Sequence, residues 1–468
     1  MANVGTKSIK YSTDYNLKTL DLITNVTGTG TVNLLPYMIE LSLFEDIYSS
    51  TISGEVLISD AIGIISNYRL NGTEFIQVQL QKSTEDPRTI SRNYRVYKIG
   101  KRVTGDNNDY EVYSLNFCSE EFLISEQYRL SKSFPQTKIS DVITSILTDY
   151  VKVGNKKLAI EETDGPHDFV LPNKKLFETI NWLSTYAKSK KSSFYGDMLF
   201  FENSEGYFFN SLQSLYGQDS YQTFKFDPKN IIDQNMNQKI TNASDFEVLS
   251  FFDVLSAISN GTFANKLITI DPLLRTSNTD IVFNYNDYFK QSVKMNKGPL
   301  INNYKNRLGQ TLYDREPTTP AGLEMGTLRL ASTNKEERKN AYVTSQKGGA
   351  DSASNDIYIE KYLTNRVAQL AIANYMKIKI TVPGDPGLSA GKTVTFNTFQ
   401  IQPSSYSQSG ERPLDPFYSG KYLVSAVRHI VKNSSYITVL ELCKESVGTA
   451  YPGYNAGALD NYVKGNQI

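Results

Sequence analysis

Residues 73–82 read TEFIQVQLQK and alternate without a break: Phe75, Gln77, Gln79 and Gln81 fall on one side, Ile76, Val78 and Leu80 on the other. Side chains of a strand alternate between faces, so such text suits a sheet with one dry and one wet face and little else. The surrounding sequence continues the theme. YMIELSLFEDI drifts in and out of alternation through Met38, Glu40, Leu41, Leu43 and Phe44, and TISGEVLISDAIGII puts Ile52, Val56 and Ile58 on one face. YRVYKIGKRVTGDNNDYEVYSLNF supplies two more strands about the Gly105–Asn108 turn. The 31 Tyr and 23 Phe beside a single Trp fit the same strand-rich reading.

After Glu120 the period changes. KISDVITSILTDYV places Ile139, Val142, Ile143, Ile146 and Leu147 at helical spacing, with Ser140 as an expected cap. KLFETINWLSTYAKSK does the same with Leu176, Ile180, Leu183 and Ala187, and Trp182 at that spacing is expected in the core. SSFYGDMLFFENSEGYFFNSLQSLY reads as a hairpin about residues 203–206. Residues 310–355 are polar, small-residue text without a period, an expected long loop or insertion. A helix marked by Leu363, Val367, Leu370 and Ala371 then runs into strand text, and strands follow through Val394, Leu423, Val427, Ile430, Ile437, Val439, Leu440 and Leu442. The order is a β unit, a helical middle and a second β unit, with no short-period repeat.

The charges of the chain balance, with 49 Lys plus Arg and 49 Asp plus Glu, so it lacks the basic excess of a protein that grips nucleic acid. Gly391-Lys392-Thr393 resembles the end of a phosphate-binding loop, but the required first Gly is Pro386 and a strand follows where a helix is needed. The stretch PGDPGLSAGKTVTF is therefore expected to be a hairpin-like connection, with Lys392 in water. Glu45-Asp46 and Glu120-Glu121 are adjacent acids, which a strand sends to opposite faces, so solvated or capping roles are expected. His167 lies in a turn segment, and His429 is expected to be a partly buried structural residue. Cys118 and Cys443 sit beside apolar residues, as buried small hydrophobes do. The lysines of PNKK and KSKKSS suit wet helix ends. No Cys/His cluster has zinc spacing, no nucleophile motif appears, and no apolar run approaches the ~18 residues that span a bilayer. Asn25-Val26-Thr27 and Asn260-Gly261-Thr262 have no secretory context, and the polar first residues suggest a soluble protein made in the cytosol. The residues alone point to a structural or interaction scaffold, with no catalytic, cofactor-binding or metal residue to name.

Several phrases, taken in order, resemble the central hub family of contractile phage-tail baseplates, related to the N-terminal part of type VI secretion valine-glycine-repeat spike proteins. They are Leu70, Gly72 and Glu74; then Ser119-Glu120-Glu121, Arg129, Ser131-Lys132-Ser133 and Ile139-Ser140-Asp141. Pro172, Asn173, Phe177, Ile180, Asn181, Trp182 and Leu183 follow, and finally Gly384-Asp385, Gly391, Ser419-Gly420, Tyr422, His429 and Tyr436. The phrases span about residues 40–445; the 310–355 stretch departs from the pattern, and no β-helical spike follows residue 450.

The resemblance implies an α+β, mainly β fold: two tail-tube-like β-barrel domains, a helical or mixed middle and a long insertion. The implied divisions are 1–118, a connecting domain at 119–240, 241–450 with the insertion, and a tail at 451–468. It implies a homotrimer whose pseudo-sixfold ring joins a hexameric tail tube protein to a trimeric central spike protein. It also implies contact with other baseplate proteins and the tape measure protein, only transient passage of DNA, no stable membrane binding and no cofactor. Such a chain is no enzyme; it is made in the host cytoplasm and resides in the virion tail baseplate. Gln77, Gln79 and Gln81 become candidate lumen or surface positions. Gly72, Glu120, Arg129, Pro172, Asn173, Trp182, Gly384, Gly420 and His429 become structural motif residues. Rival readings are a distal tail ring or tube initiator, a cell-wall hydrolase borne on the hub, and the hub of a cellular injection system.

Overall fold

The computed structural model describes residues 15–24, 30–82, 88–105, 109–191, 196–227, 241–271, 276–301, 327–332, 362–400, 413–432 and 435–449. The tail at 451–468 lies outside these, as does all of 310–355 except one strand.

The first β unit comprises β1 (Asn16–Ile23), β2 (Thr31–Asn33), β3 (Met38–Asp46), β4 (Ser53–Asp60), β5 (Phe75–Gln81), β6 (Thr89–Thr104) and β7 (Glu111–Ser119). Its strands lie in the order β3-β4-β7-β6-β5-β1-β2, every neighbour antiparallel. The alternation of β5 is realised: Ile76, Val78 and Leu80 are fully buried, against Leu20, Leu22, Val56, Tyr113 and Phe117. Each such aliphatic burial contributes ~1.5–3 kcal/mol.

The middle folds around helices Glu120–Gln127, Ile139–Ser145 and Leu176–Ser184. The second continues as a π-helical turn, Ile146–Val151. The apolar residues read at helical spacing, Ile139 through Leu147 and Leu176 through Ala187, are buried together. The cap position belongs to Lys138, not Ser140; Ser140 sits inside the first turn and its N–H donates to the Thr163 hydroxyl. Two short ribbons pair β8 (Arg129–Leu130) with β12 (Lys174–Lys175), and β9 (Ser133–Thr137) with β11 (His167–Val170). The predicted hairpin is β13 (Met198–Asn203) with β14 (Gly206–Ser211), and β10 (Lys157–Ile160) adds to β14 in parallel.

The second β unit comprises β15 (Ser220–Phe226), β16 (Asp245–Ser250), β21 (Met376–Pro383), β22 (Thr393–Thr398), β23 (Gly420–Lys432) and β24 (Ser435–Lys444). β15 falls within the span read as connecting, yet it pairs with β22. Ile378, Ile380, Val394, Phe396, Tyr422, Leu440 and Leu442 form the core of this unit. Satellites complete it: β17 (Ala264–Asp271) with β18 (Thr276–Asn284) and β20 (Thr327–Ser332), and β19 (Gly298–Pro299) with β25 (Ser446–Val447). β20 lies in the stretch read as an insertion and runs parallel to β17. Helix Leu363–Ala373 runs directly into β21, as its sequence predicts.

The fold is mainly β with helices segregated in between. No closed barrel forms among the described residues: β23 pairs with β3, and both units become lengths of one open 13-stranded sheet. The units also repeat each other. β3-β4-β7-β6-β5 in the first corresponds, pairing for pairing, to β16-β21-β24-β23-β22 in the second. The correspondence stops at the last strand, since β1 is antiparallel to β5 but β15 is parallel to β22.

Candidate functional site

For a chain whose residues point to a scaffold, the place that matters is where its units are fastened. β23 makes the seam by being long. Its first residues, Gly420–Leu423, pair with β22, and after an irregularity at Ser425 its last seven, Ala426–Lys432, pair with β3. Across the seam, Arg428 reaches Glu40 at 3.0 Å and Ser42 Oγ at 3.1 Å, and Lys432 Nζ lies 3.3 Å from Glu40. The Arg428 guanidinium also covers the Phe44 ring at 5.3 Å. Partial burial raises the Glu40 carboxyl, but Ser42, Lys432 and Arg428 outweigh it and hold Glu40 below its ordinary value.

A second fastening is buried. Asp385, in the loop after β21, accepts from Lys82 Nζ at 3.1 Å, Arg88 at 2.9 Å and the Tyr221 hydroxyl at 3.1 Å. Lys82 and Asp385 side chains are 2 % and 1 % exposed, so a cation at the end of β5 is neutralised inside the protein by an acid of the other unit. Alongside, the Tyr436 hydroxyl lies 2.8 Å and the Thr438 hydroxyl 3.3 Å from His429 Nδ1. Burial pulls the His429 pKa down to about 4, leaving it neutral. His429 is thus fully buried, more so than its sequence suggests.

The middle unit is wedged in by two further carboxylates. Glu45, expected in solvent or as a cap, is buried and accepts backbone N–H groups from Ser204 and Ala390, each at 2.9 Å. One acid of the first unit therefore holds both other units, and burial pushes it up to about 7. Its neighbour Asp46 does cap a turn, accepting from Tyr48 N–H at 2.8 Å. Glu202 of β13 accepts from Ile52 N–H at 3.0 Å and pairs with Lys156 at 2.7 Å, and Lys156 also pairs with Glu121.

Residues 383–396 are not a hairpin. β21 and β22 do not pair with each other; β24 and β23 lie between them, so this connection crosses over the sheet. Lys392 does not stand in water: it donates to the Gly387 carbonyl at 2.8 Å and pairs with Glu205 at 2.8 Å. Gly391 has φ of 87°, and a Cβ there would lie 2.7 Å from the Phe201 ring. Close packing of the loop is what its glycines serve.

The residues singled out from sequence are spread along these fastenings. Gln77 and Gln79 sit partly exposed on one face of β5, with Thr19 Oγ1 donating to Gln79 at 3.4 Å, whereas Gln81 is buried at the end nearest Lys82. Gly72 takes φ of 90° in a turn whose N–H groups, its own and Asn71's, donate to the buried Glu74 carboxylate. Glu120 opens its helix and lies 3.5 Å from Arg95. Arg129 donates to the Asn173 carbonyl at 3.2 Å, with Pro172 and Asn173 exposed beside it. Trp182 is half-buried at the margin of the middle core, against Tyr186. A Cβ at Gly384 would lie 2.1 Å from the Tyr436 ring, and one at Gly420 would lie 2.5 Å from Asn296 Oδ1. Cys118 and Cys443 are buried free thiols, pushed up to about 12 by that burial. Lys82, Arg88 and Glu202 escape sequence reasoning, because their partners lie far along the chain and no local pattern marks them. Among the described residues, no three His, Cys, Asp or Glu side chains converge as metal ligands do, and no helix is long and apolar enough to cross a membrane.

No protein-family model matches the chain. It is 23 % identical over 410 residues to the "Probable baseplate hub protein gp334" of Vibrio phage KVP40, covering 86 % of this chain and 89 % of that protein. Among solved structures, a tail protein from Neisseria meningitidis MC58 aligns with a TM-score of 0.48 at 9 % identity, over 92 % of this chain and 96 % of that one. The 43 kDa tail protein of prophage MuSo2 from Shewanella oneidensis aligns with a TM-score of 0.46 at 6 % identity, over 92 % and 98 %. Along most of its length the chain is baseplate-hub-like, similar in sequence to a phage protein that carries that name.

Proposed function

We propose that this chain is the structural hub of the baseplate of a contractile tail. Three copies form a ring of six β units that joins a sixfold tail tube to a threefold spike. The observation that carries the reading is the similarity to a protein named as a baseplate hub, over 86 % of this chain and 89 % of that protein. The repeat of four strand pairings, linking five strands in each unit, supports it: two like units per chain turn threefold symmetry into approximate sixfold symmetry. In this reading the chain works in the virion tail baseplate. It contacts the tube protein, the central spike protein, other baseplate proteins and the tape measure, and performs no catalysis. A net charge of zero suits a channel through which DNA passes without being held.

The mass of the purified assembly in solution tests the proposal. Three chains are expected; a mass of six chains sinks it in favour of a hexameric ring component. Clearing of cell-wall substrate by the protein in a gel assay would overturn the non-catalytic part.

A further inference from the structure

The repeat between the two units is filled at one place and open at the equivalent place. In the second unit β24 borders β23 from Leu423 to Lys432, β22 borders its first residues, Gly420–Leu423, and β3 borders Ala426–Lys432. The counterpart of β23 is β6. β7 borders one side of it to Thr104 and β5 borders Thr89–Arg95 on the other, but on that other side no described strand lies beside residues 97–104. The counterpart of β3 is β16, which pairs with β21 on one side and with no described strand on the other. The two open edges are thus the same two positions that meet, inside the chain, as β23 and β3.

Their chemistry matches too. At the closed seam, Arg428 and Lys432 of β23 face Glu40 of β3. On the open half of β6, Lys98 and Lys101 are exposed and form no ion pair with a described residue, while Arg102 is taken by Glu111. On β16, Asp245 and Glu247 are exposed; Lys379 of the same chain pairs with Glu247 and also feels the charge of Asp245, so one cation serves two acids, and Asp245 forms no close ion pair with a described residue. Both edges also show apolar side chains to water: Tyr97 and Val103 on β6 are 50 % and 64 % exposed, and Val248 and Leu249 on β16 are 39 % and 44 %. Unpaired backbone groups with apolar flanks are what an added strand covers.

We propose that copies of this chain join head to tail by adding β16 of one copy, antiparallel, to residues 97–104 of β6 in the next, as β3 adds to β23 within the chain. The proposal rests on the ring reading and gives it a contact: a heterologous joint whose repetition closes a ring. Basic β6 against acidic β16 also fixes polarity, since two β6 edges or two β16 edges repel.

The test is sedimentation of the full chain, wild type against Lys98→Glu with Lys101→Glu, against Asp245→Lys with Glu247→Lys, and against all four together. All four positions are exposed, and unchanged thermal unfolding of the dissociated form verifies that each variant is folded. Each charge reversal alone is expected to weaken assembly at least ~10-fold, and the fourfold swap to restore it. Reversals that keep the wild-type mass, or a swap no better than either half, overturn the edge proposal and leave the trimer reading standing. Six-chain assemblies that fall apart on reversal and recover on the swap uphold the edges and sink the trimer. A wild type that stays monomeric at every concentration sinks both.

Discussion

His429 shows how much a single side chain depends on its surroundings. Burial holds it neutral down to about pH 4, whereas in the unfolded chain it takes a proton near its ordinary value of 6.5. The unfolded state therefore binds more protons between those values. The stability due to His429 is complete above pH 6.5 and drains away as pH falls toward 4. The difference amounts to ~3 kcal/mol at the acid end. His429→Gln keeps polar atoms without titrating, so its unfolding free energy, measured by denaturant from pH 7 to pH 4, is expected to lack this loss relative to wild type. Gly384 is a steric case. With Tyr436 ring atoms 2.1 Å from where a Cβ would stand, Gly384→Ala is expected to cost ~1–3 kcal/mol and to lower the thermal midpoint.

At the scale of elements, strands hold each other along edges and loops hold units together through buried charge. Asp385, in the loop that crosses from β21 to β22 in one unit, neutralises Lys82, 303 positions away in sequence, at the strand end of the other. Removing only the acid leaves an ammonium in the interior, which costs more than the pair contributes. Asp385→Ala is expected to lose ~3–5 kcal/mol in equilibrium unfolding, while Lys82→Met combined with Asp385→Leu is expected to lose far less. Equal losses in the single and double variants would show that the joint works by shape and not by charge. The middle unit depends similarly on Glu45 and Glu202, which take backbone N–H groups as ligands where a helix or strand supplies none.

At the scale of the molecule, two similar units in one open sheet are what the proposed ring asks of a chain that would supply two of its six parts. The internal seam, with cations on the long strand and an acid on its neighbour, is the pattern on which the proposed joint between copies is drawn. Expected three-chain mass and the expected response of β6 and β16 to charge reversal both follow from repeating that seam between copies. The apolar side chains left on those edges would be covered by the same contact.

The alternation at residues 73–82 determined a strand with Ile76, Val78 and Leu80 buried, and the spacing of Ile139, Val142, Ile143, Ile146 and Leu147 determined a buried helical face. Both are readable because period and face are local properties of the backbone. Two β units about a helical middle follow from where those periods change. Only the tertiary structure decided that the units share one sheet, that β21 and β22 lie apart, that Glu45 is buried while Asp46 caps a turn, and that Gln81 leaves the wet face of its strand. Edge pairing joins residues separated by most of the chain, and the solvation of a carboxylate depends on what packs over it; neither leaves a mark on the neighbouring sequence.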